Sequence, residues 1–167
     1  APAVLALARG EVPGAAQPQG NGAATRAKPA IGDPAPAIEL PTLAGKQLSL
    51  AQLSGTRTLV LFWNPGCGFC ARMLDDLKAW EAKRSKGAPK LLVVSTGTVE
   101  ANRVMGLRSP VLLDEGFATG NAFGASGTPS AVLIDTRGRI ASELAVGADA
   151  VFALAGAKRV GAKTSVE

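Results

Sequence analysis

Two cysteines separated by two residues are the side chains of this sequence with the clearest chemical potential. Cys67 and Cys70 are the only cysteines among 167 residues, so a framework of several structural disulfides is excluded. The chain contains no histidine, which removes a Cys-His nucleophile pair, an imidazole base and His ligands for a metal. A zinc site would need two further good ligands, and a c-type haem site would need histidine where Ala71 stands. Redox chemistry between the two thiols is what this elimination leaves.

The cysteine segment WNPGCGFC lies where a buried strand is predicted to end and a helix to begin. The first turn of a helix leaves backbone N–H groups unpaired and carries the positive end of the dipole, so it stabilises a thiolate at Cys67. A thiolate is the attacking species in disulfide exchange, so Cys67 is predicted to be the nucleophile. Cys70, one turn further and facing the core, is predicted to be the resolving thiol. An inert disulfide or two ordinary buried cysteines are the alternative.

Three neighbouring residues are candidates for contact with a partner. Gly68 permits close approach of a partner backbone, and Phe69 offers an apolar contact or shields the disulfide. Trp63 either packs against the disulfide or lines a partner groove, and its place at a strand end favours the groove. Trp80, on the apolar stripe of the predicted helix, is predicted to belong to the core.

The elements that position this segment are predicted from hydrophobic patterns. The runs Thr58 to Trp63 and Leu91 to Val94 are continuously apolar, which is typical of strands covered on both faces. Between them, residues 67–83 have helical spacing of apolar side chains, with charged side chains on the opposite face. Strand, helix, strand is therefore the central unit. The fold class is α/β, with a central mixed sheet flanked by helices and an N-terminal β-hairpin.

The remaining elements follow from turn signals and shorter periodic segments. The predictions are a hairpin of residues 37–40 and 46–49, a helical turn at 50–53, helices at 98–107, 115–123 and 148–158, a strand at 111–113, and a second hairpin of residues 131–135 and 140–145.

Composition divides the chain into three parts. Residues 1–30, rich in Ala, Gly, Pro and Gln, are predicted to form a flexible linker, residues 31–158 the folded domain and residues 159–167 a tail. The apolar stretch from Ala3 to Ala8 is far shorter than the ~20 residues of a membrane span. Since the sequence begins with Ala1 and not Met, an upstream signal peptide or membrane segment is a further expectation. A tethered domain and an ordinary disordered terminus both remain open.

The net charge of +5 and the pI of about 9.6 suggest an anionic partner. The densest basic cluster comprises Lys83, Arg84, Lys86 and Lys90, at the end of a predicted helix, where cations suit the dipole and water. Without interleaved aromatic residues or a nucleic-acid motif, no nucleic-acid binding is expected. A basic face near an anionic membrane surface is more plausible.

From Ile31 to about Gly147 the chain resembles the extracytoplasmic, membrane-tethered thioredoxin-like proteins of the TlpA and ResA kind, within the redoxin superfamily. The matching segments are IGDPAPAIELPTLAGKQLSL, LVLFWNPGCGFC and GTPSAVLIDTRGRI. The resemblance implies a thioredoxin-like fold and a thiol-disulfide oxidoreductase that exchanges electrons with protein disulfides or dithiols through Cys67 and Cys70. No cofactor and no metal are expected.

The same resemblance implies a location and a class of partner. The expected location is the periplasm, or the extracytoplasmic face of a bacterial membrane, and the expected state is a monomer. Domains of this kind also occur beside redox-associated membrane proteins of the MauE type, so a membrane redox protein is expected among the partners.

The segment Gly127-Thr128-Pro129 is part of the resemblance and implies further site residues. Pro129 is expected to follow a cis peptide bond and to lie against Cys67. Thr128, which precedes it, is expected to offer its backbone to an extended segment of the substrate. An ordinary trans Thr-Pro turn would be the prediction from these residues alone.

The sequence departs from its relatives at two acidic positions. Leu61 stands where many thioredoxins carry a buried acid, and Met73 stands where ResA-like proteins often place a glutamate. With neither an acid nor a histidine nearby, water or the partner must carry the proton from Cys70.

Two other functions remain as alternatives. The N-terminal GDPAP pattern also opens peroxiredoxins, which suggests a thiol-dependent peroxidase. The peroxidatic signature, however, needs Thr or Ser three residues before its Cys and Pro seven before, where Asn64 and Val60 stand. The second alternative is a non-catalytic module that binds Cu(I) through its two thiols or acts as a scaffold.

Overall fold

The computed structural model describes residues 29–84 and 87–156. Its elements in chain order are β1 (Glu39–Pro41), β2 (Gln47–Ser49), a 3₁₀ helix (Leu50–Leu53), β3 (Thr58–Trp63), α1 (Gly68–Ala82), β4 (Lys90–Ser95), α2 (Val99–Arg103), β5 (Val111–Leu113), a 3₁₀ turn (Glu115–Phe117), α3 (Ala118–Ala122), β6 (Ser130–Ile134), β7 (Ala145–Val146) and α4 (Ala148–Leu154).

A five-stranded mixed sheet of order β5-β4-β3-β6-β7 forms the centre of the fold. Strand β3 runs parallel to β4 and antiparallel to β6, and every residue of β3 is buried. Its alternating side chains enter two separate clusters, with Leu59 and Leu61 on one face and Val60 and Phe62 on the other. This two-sided burial is why the sequence of β3 contains no polar alternation.

Helix α1 covers the first face of the sheet together with α4. Its apolar stripe, Cys70, Met73 and Leu77, is fully buried in the cluster that contains Leu61. The parallel pairing of β3 with β4 requires a crossover between them, and α1 supplies it. Cys67, which precedes α1, therefore lies at the carboxyl ends of the two parallel strands.

The N-terminal hairpin covers part of the second face. Strands β1 and β2 pair antiparallel, with Leu40 opposite Leu48, and the preceding Ile38 is 2% exposed in the second cluster. The 3₁₀ helix that follows begins with a capping interaction, in which the Ser49 N–H donates to Gln52 Oε1 at 2.7 Å. The hairpin, the helical turn and the mixed sheet were all predicted from sequence.

Two helices are shorter or less regular than predicted. The helix expected at 98–107 covers only Val99–Arg103, and Gly106 adopts a positive φ of 71° that ends the helical path. The helix expected at 115–123 is broken at Phe117, whose φ of 61° is left-handed. Packing decides both outcomes, because Met105 turns into the first cluster and Phe117 packs against the ring of Phe62.

The predicted strand at 140–145 was wrong. Strand β6 pairs instead with Ala145–Val146, and Ile140 makes only an isolated bridge to Ile134. Between these points residues 141–144 carry two more residues than the opposing strand, so they bulge from the ladder. There the Leu133 N–H donates to Ser142 Oγ at 3.0 Å, and a side-chain oxygen thus replaces a ladder carbonyl.

The C-terminal helix, predicted to reach residue 158, runs only from Ala148 to Leu154, because the chain turns at Gly156, whose φ is 76°. Residues 157–158 of that prediction lie outside the described residues. The predicted linker, except for its last two residues, and the tail at 159–167 also lie outside them. Among residues 29–84 and 87–156, no helix combines the length and apolar character needed to cross a membrane.

Candidate active site

Cys67 occupies the N-cap position of α1, immediately after the turn that follows β3. Within that turn the Cys67 N–H donates to the Asn64 carbonyl at 2.9 Å, and the Asn64 side-chain oxygen accepts the Gly66 N–H at 2.8 Å. The Pro65 ring packs against Gly97, where an added Cβ would lie 3.2 Å from Pro65 Cγ. The turn is thereby held in place, and the Cys67 thiol is left partly exposed.

The Cys67 thiol ionises more readily than an ordinary cysteine. Partial burial opposes its ionisation, but hydrogen bonds with the Thr128 side chain and with the N–H groups of Cys70 and Phe69 outweigh that effect, so its pKa lies below 9.0. These N–H groups belong to the first turn of α1 and have no partner within the helix. A thiolate at Cys67 is therefore stabilised both by Thr128 and by the start of α1.

Cys70 has the opposite character. It lies one turn into α1 with its side chain 0% exposed. Burial raises the pKa of the Cys70 thiol to about 11, against weaker lowering by hydrogen bonds with Asn64 and Thr128. The two sulfur atoms thus differ in both access and acidity, although they belong to the same helix turn.

The Thr128-Pro129 segment reaches this site from far along the chain. The peptide bond between the two residues is cis, as the resemblance implied. The Thr128 carbonyl oxygen lies 3.5 Å from Cys67 Sγ and accepts the thiol hydrogen. Pro129 is buried, and its carbonyl accepts the Gly147 N–H at 3.0 Å, which fixes the segment against the loop before α4.

A groove of about 420 Å³ opens beside the cysteines. Phe69, Thr128 and Pro129 contribute to its lining, together with Arg72 and Val146. Two of these side chains are unusually exposed for their type, with Phe69 at 65% and Val146 at 69%. Exposed large apolar side chains that flank one groove are typical of a surface that another molecule covers.

The Arg72 guanidinium lies 4.8 Å from the centre of the Phe69 ring, a cation–π contact that holds the ring at the groove wall. Sequence reasoning missed Arg72, although its position one turn after Phe69 on the same helix could have indicated it. Val146 was also missed, and no local signal was available, because pairing of β7 with β6 brings it to the groove.

Of the predicted partner contacts, Gly68 is exposed at the start of α1, whereas Trp63 is not at the surface. The Trp63 side chain is 1% exposed and its indole N–H donates to Met105 Sδ at 2.9 Å. The structure therefore places Trp63 in the core beneath the cysteines and not in the groove, because Met105 and α1 cover the end of β3. Trp80 is half-buried against α4, where its indole N–H donates to the Ala155 carbonyl.

Residues 31–143 match the model of the AhpC/TSA family. This chain belongs to the AhpC/TSA family. The thiol-disulfide oxidoreductase ResA of Geobacillus thermodenitrificans is 27% identical to it over 116 residues, which cover 66% of this chain and 67% of ResA. The methylamine utilization protein MauD of Paracoccus denitrificans is 31% identical over 118 residues, which cover 67% of this chain and 57% of MauD.

Solved structures place this AhpC/TSA chain among thioredoxin-like folds. It superposes on the thioredoxin domain of a thiol-disulfide oxidoreductase from Bacteroides vulgatus with a TM-score of 0.60 and 26% identity, covering 74% of this chain and 94% of that domain. A secreted Mycobacterium tuberculosis disulfide oxidoreductase shares the fold at a TM-score of 0.59 and 21% identity, over 71% and 92% of the two chains. The chain is a thioredoxin-like thiol-disulfide oxidoreductase, which confirms the fold and activity that the sequence resemblance implied.

Proposed function

We propose that Cys67 and Cys70 are the reacting pair of this oxidoreductase and exchange two electrons with a disulfide or dithiol of a protein partner. The observation that carries this proposal is the contrast within one helix turn. The partly exposed Cys67 has a lowered pKa, whereas the buried Cys70 has a pKa of about 11. One thiol is therefore ready to attack an incoming disulfide, and the other is shielded until an intermediate forms.

In the reducing direction the Cys67 thiolate attacks one sulfur of the partner disulfide. The partner S–S bond breaks, a mixed disulfide forms on Cys67, and the leaving partner thiolate takes a proton from water. Cys70 then loses its proton to water and attacks Cys67 Sγ, which breaks the mixed disulfide, closes the Cys67–Cys70 disulfide and releases the second partner thiolate. The pair is oxidised by two electrons and the partner is reduced by two; the reverse sequence oxidises a partner dithiol.

The groove beside the pair supplies the docking surface in this proposal. Phe69 would pack on an apolar side chain of the partner, while Gly68 admits the partner backbone without steric hindrance. Thr128 and Pro129 line the same groove next to Cys67, so a partner segment lying along them would bring its sulfur to the thiolate. The 3.5 Å contact between Cys67 Sγ and the Thr128 carbonyl supports this route.

We propose residues 1–30 as a flexible linker, 31–158 as the catalytic domain and 159–167 as a tail, acting as a monomer on the extracytoplasmic side of a bacterial membrane. A membrane redox protein is the proposed partner, and similarity to MauD over 118 residues supports it. The small polar and Pro-rich composition of the first 30 residues supports the linker.

The test compares two single variants of the full chain with the unmodified protein. Cys67→Ser should abolish exchange with a disulfide-bonded protein substrate, because no accessible thiolate remains. Cys70→Ser should react once and accumulate a mixed disulfide on Cys67, which mass spectrometry detects as a covalent adduct. Ser126→Ala, an exposed change in the loop before Thr128, serves as the control and should retain exchange. Exchange that persists in Cys67→Ser would contradict the assignment.

A further inference from the structure

The described residues carry eleven Lys and Arg side chains and eleven Asp and Glu side chains, yet the two signs are segregated. Seven of these cations and only three of these carboxylates lie at the end of the domain opposite the cysteines. We call this surface the basic end, and its cations are Arg57, Lys83, Arg84, Lys90, Arg108, Arg137 and Arg139.

The register of the strands brings several of these residues to the same end of the sheet, where β3 and β4 begin and β6 ends. Thr58, the first residue of β3, pairs with Lys90 at the start of β4 and with Ile134 at the end of β6. Arg57, which precedes Thr58, therefore lies between Lys90 on one side and the 135–139 turn on the other. The Gly55 N–H donates to the Thr136 carbonyl at 2.9 Å, which ties the chain before β3 to this turn.

Helix α1 brings further cations to the same end of the sheet. As the crossover between parallel strands, α1 runs back toward the start of β4, so Lys83 and Arg84 lie at the basic end. A cleft of about 380 Å³ is lined in part by Arg84, Lys90 and Arg108. Cations from separate segments thus meet around one concave surface.

The three carboxylates of the basic end are each bound by nearby backbone amides. Glu81 accepts the N–H groups of Arg108 and Ser109 at 3.0 and 2.8 Å, and Asp33 accepts the Ala30 N–H. Asp135 accepts two N–H groups of its own turn, which lower its pKa. These contacts hold the carboxylates on the backbone without removing their charge, and the seven cations still outnumber the three carboxylates at the surface.

The first and last described segments of the domain also lie at the basic end. The Gly32 N–H donates to the Ile140 carbonyl, and Arg139 Nη1 donates to the Gly32 carbonyl at 2.9 Å. At the other terminus, Ala155 accepts the indole N–H of Trp80 near the end of α1.

We propose that the basic end docks on an anionic phospholipid surface and leaves the redox pair facing away from the bilayer. Ile31, which is 57% exposed, lies at this end and offers an aliphatic contact beside the cations. A mixture of cations and an exposed aliphatic side chain suits a lipid interface. The exposed aromatic Phe69 lies at the opposite end, which disfavours nucleic acid, whose bases stack on aromatic side chains.

This orientation follows from the length of the central strand. Strand β3 spans its six residues, Thr58–Trp63, from the basic end to the cysteine turn, a distance of about 17 Å at roughly 3.3 Å per residue. A bilayer at the basic end would therefore leave Cys67 accessible to a partner. The basic end is separate from the cysteine pair, so its binding to lipid is independent of the proposed reaction.

The test measures sedimentation of the full chain with vesicles of phosphatidylcholine alone and of phosphatidylcholine mixed with phosphatidylglycerol. Binding should require phosphatidylglycerol and should weaken as salt is added. The triple variant Lys90→Gln, Arg108→Gln and Arg137→Gln should bind about a hundredfold more weakly, since each cation near an anionic surface contributes about fivefold in affinity.

A matched triple variant controls for net charge. Lys46→Gln, Arg72→Gln and Arg103→Gln remove the same charge outside the basic end, and binding should remain within about threefold of the unmodified protein, given the charge screening expected at a distance. Equal loss in the two triples, or equal binding to both kinds of vesicle, would overturn the proposal. Tighter binding to a DNA duplex than to the anionic vesicles at the same salt would also overturn it.

A separate measurement tests the orientation of the domain on the bilayer. Alkylation of Cys67 by a water-soluble maleimide should proceed at the same rate on vesicles as in solution if the redox pair faces away from the bilayer. Strong protection of Cys67 by the vesicles would reject that orientation, whatever the redox activity of the protein.

Discussion

The resolving step should depend on pH far more steeply than the first attack. A thiol with a pKa of about 11 is ionised in about one molecule in ten thousand at pH 7 and about one in a thousand at pH 8. Burial, the largest cause of the raised pKa, thus disfavours ionisation of Cys70 by an amount on the order of 3 kcal/mol. A mixed disulfide on Cys67 removes the charge of that neighbour, a smaller cause of the raised pKa, but burial, the largest cause, remains, because Cys70 is fully buried beside Met73.

The direction of each dependence follows from the protonation state that reacts. Only the thiolate attacks, so the rate of resolution by Cys70 should rise about tenfold for each pH unit until the pH approaches 11. The pKa of Cys67 is lowered, so the rate of first attack should level off below pH 9. The two steps should therefore separate most widely at low pH.

The assay is rapid mixing of the reduced protein with excess of a symmetric aromatic disulfide, whose released thiolate absorbs visible light. The first phase reports attack by Cys67, and the second reports closure by Cys70. Rates are measured from about pH 6 to pH 9, a range around the free-thiol pKa. The Cys70→Ser variant should keep the first phase and lose the second, which assigns the phases.

A second phase that levels off below pH 9 would refute the reasoning. It would mean that a group of the protein removes the Cys70 proton, although Leu61 and Met73 stand where relatives carry acids. A first phase that keeps rising through pH 9 would separately refute the lowered pKa of Cys67.

Three further measurements test the docking role of the groove, the stabilising role of the buried carboxylate after β5, and the class of reaction. Phe69→Ala should raise the KM for a protein disulfide several-fold while leaving the reaction with dithiothreitol unchanged. Val104→Ala, a change at another exposed apolar side chain, should alter neither. Equal effects of Phe69→Ala on both substrates would reject a docking role. Asp114→Ala should lower the free energy of unfolding, measured in urea, by about 1–3 kcal/mol, because its buried carboxylate accepts three N–H contacts at 2.9–3.1 Å that the variant loses. Glu115→Ala, a change at an exposed position, is the control and should alter the free energy of unfolding by less than about 0.5 kcal/mol. Thiol-dependent turnover of hydrogen peroxide should stay near the uncatalysed rate, since Asn64 stands where a peroxidatic site carries Thr or Ser, and a turnover as fast as disulfide exchange would contradict this.

Local patterns were sufficient to predict the centre of the fold. The run Thr58–Trp63 forms exactly the predicted strand, and Val111–Leu113 does likewise. Helix α1 begins and ends within one residue of its prediction. Continuous apolar runs and helical spacing are properties of neighbouring residues, so they survive in any tertiary context that buries the right face.

Elements whose ends depend on packing were predicted less well. The ladder beside β6 skips residues 141–144, because Ser142 supplies a side-chain acceptor to the opposite strand. The helix after Thr98 ends early because Met105 enters the core. Neither event has a signature in the local sequence, since each depends on a residue of another element.

The chemistry of the pair was contained in the sequence, whereas its surroundings were not. Two cysteines at the start of a helix imply one activated and one shielded thiol, because the unpaired amides and the helical period are both local. Only the tertiary structure decides that Trp63 is covered by Met105, that Val146 reaches the groove, and that the Thr128 carbonyl lies 3.5 Å from Cys67 Sγ. The Trp63–Met105 and Thr128–Cys67 contacts join residues 42 and 61 positions apart in the sequence. Packing of the sheet, and not the spacing of the sequence, brings these residues together.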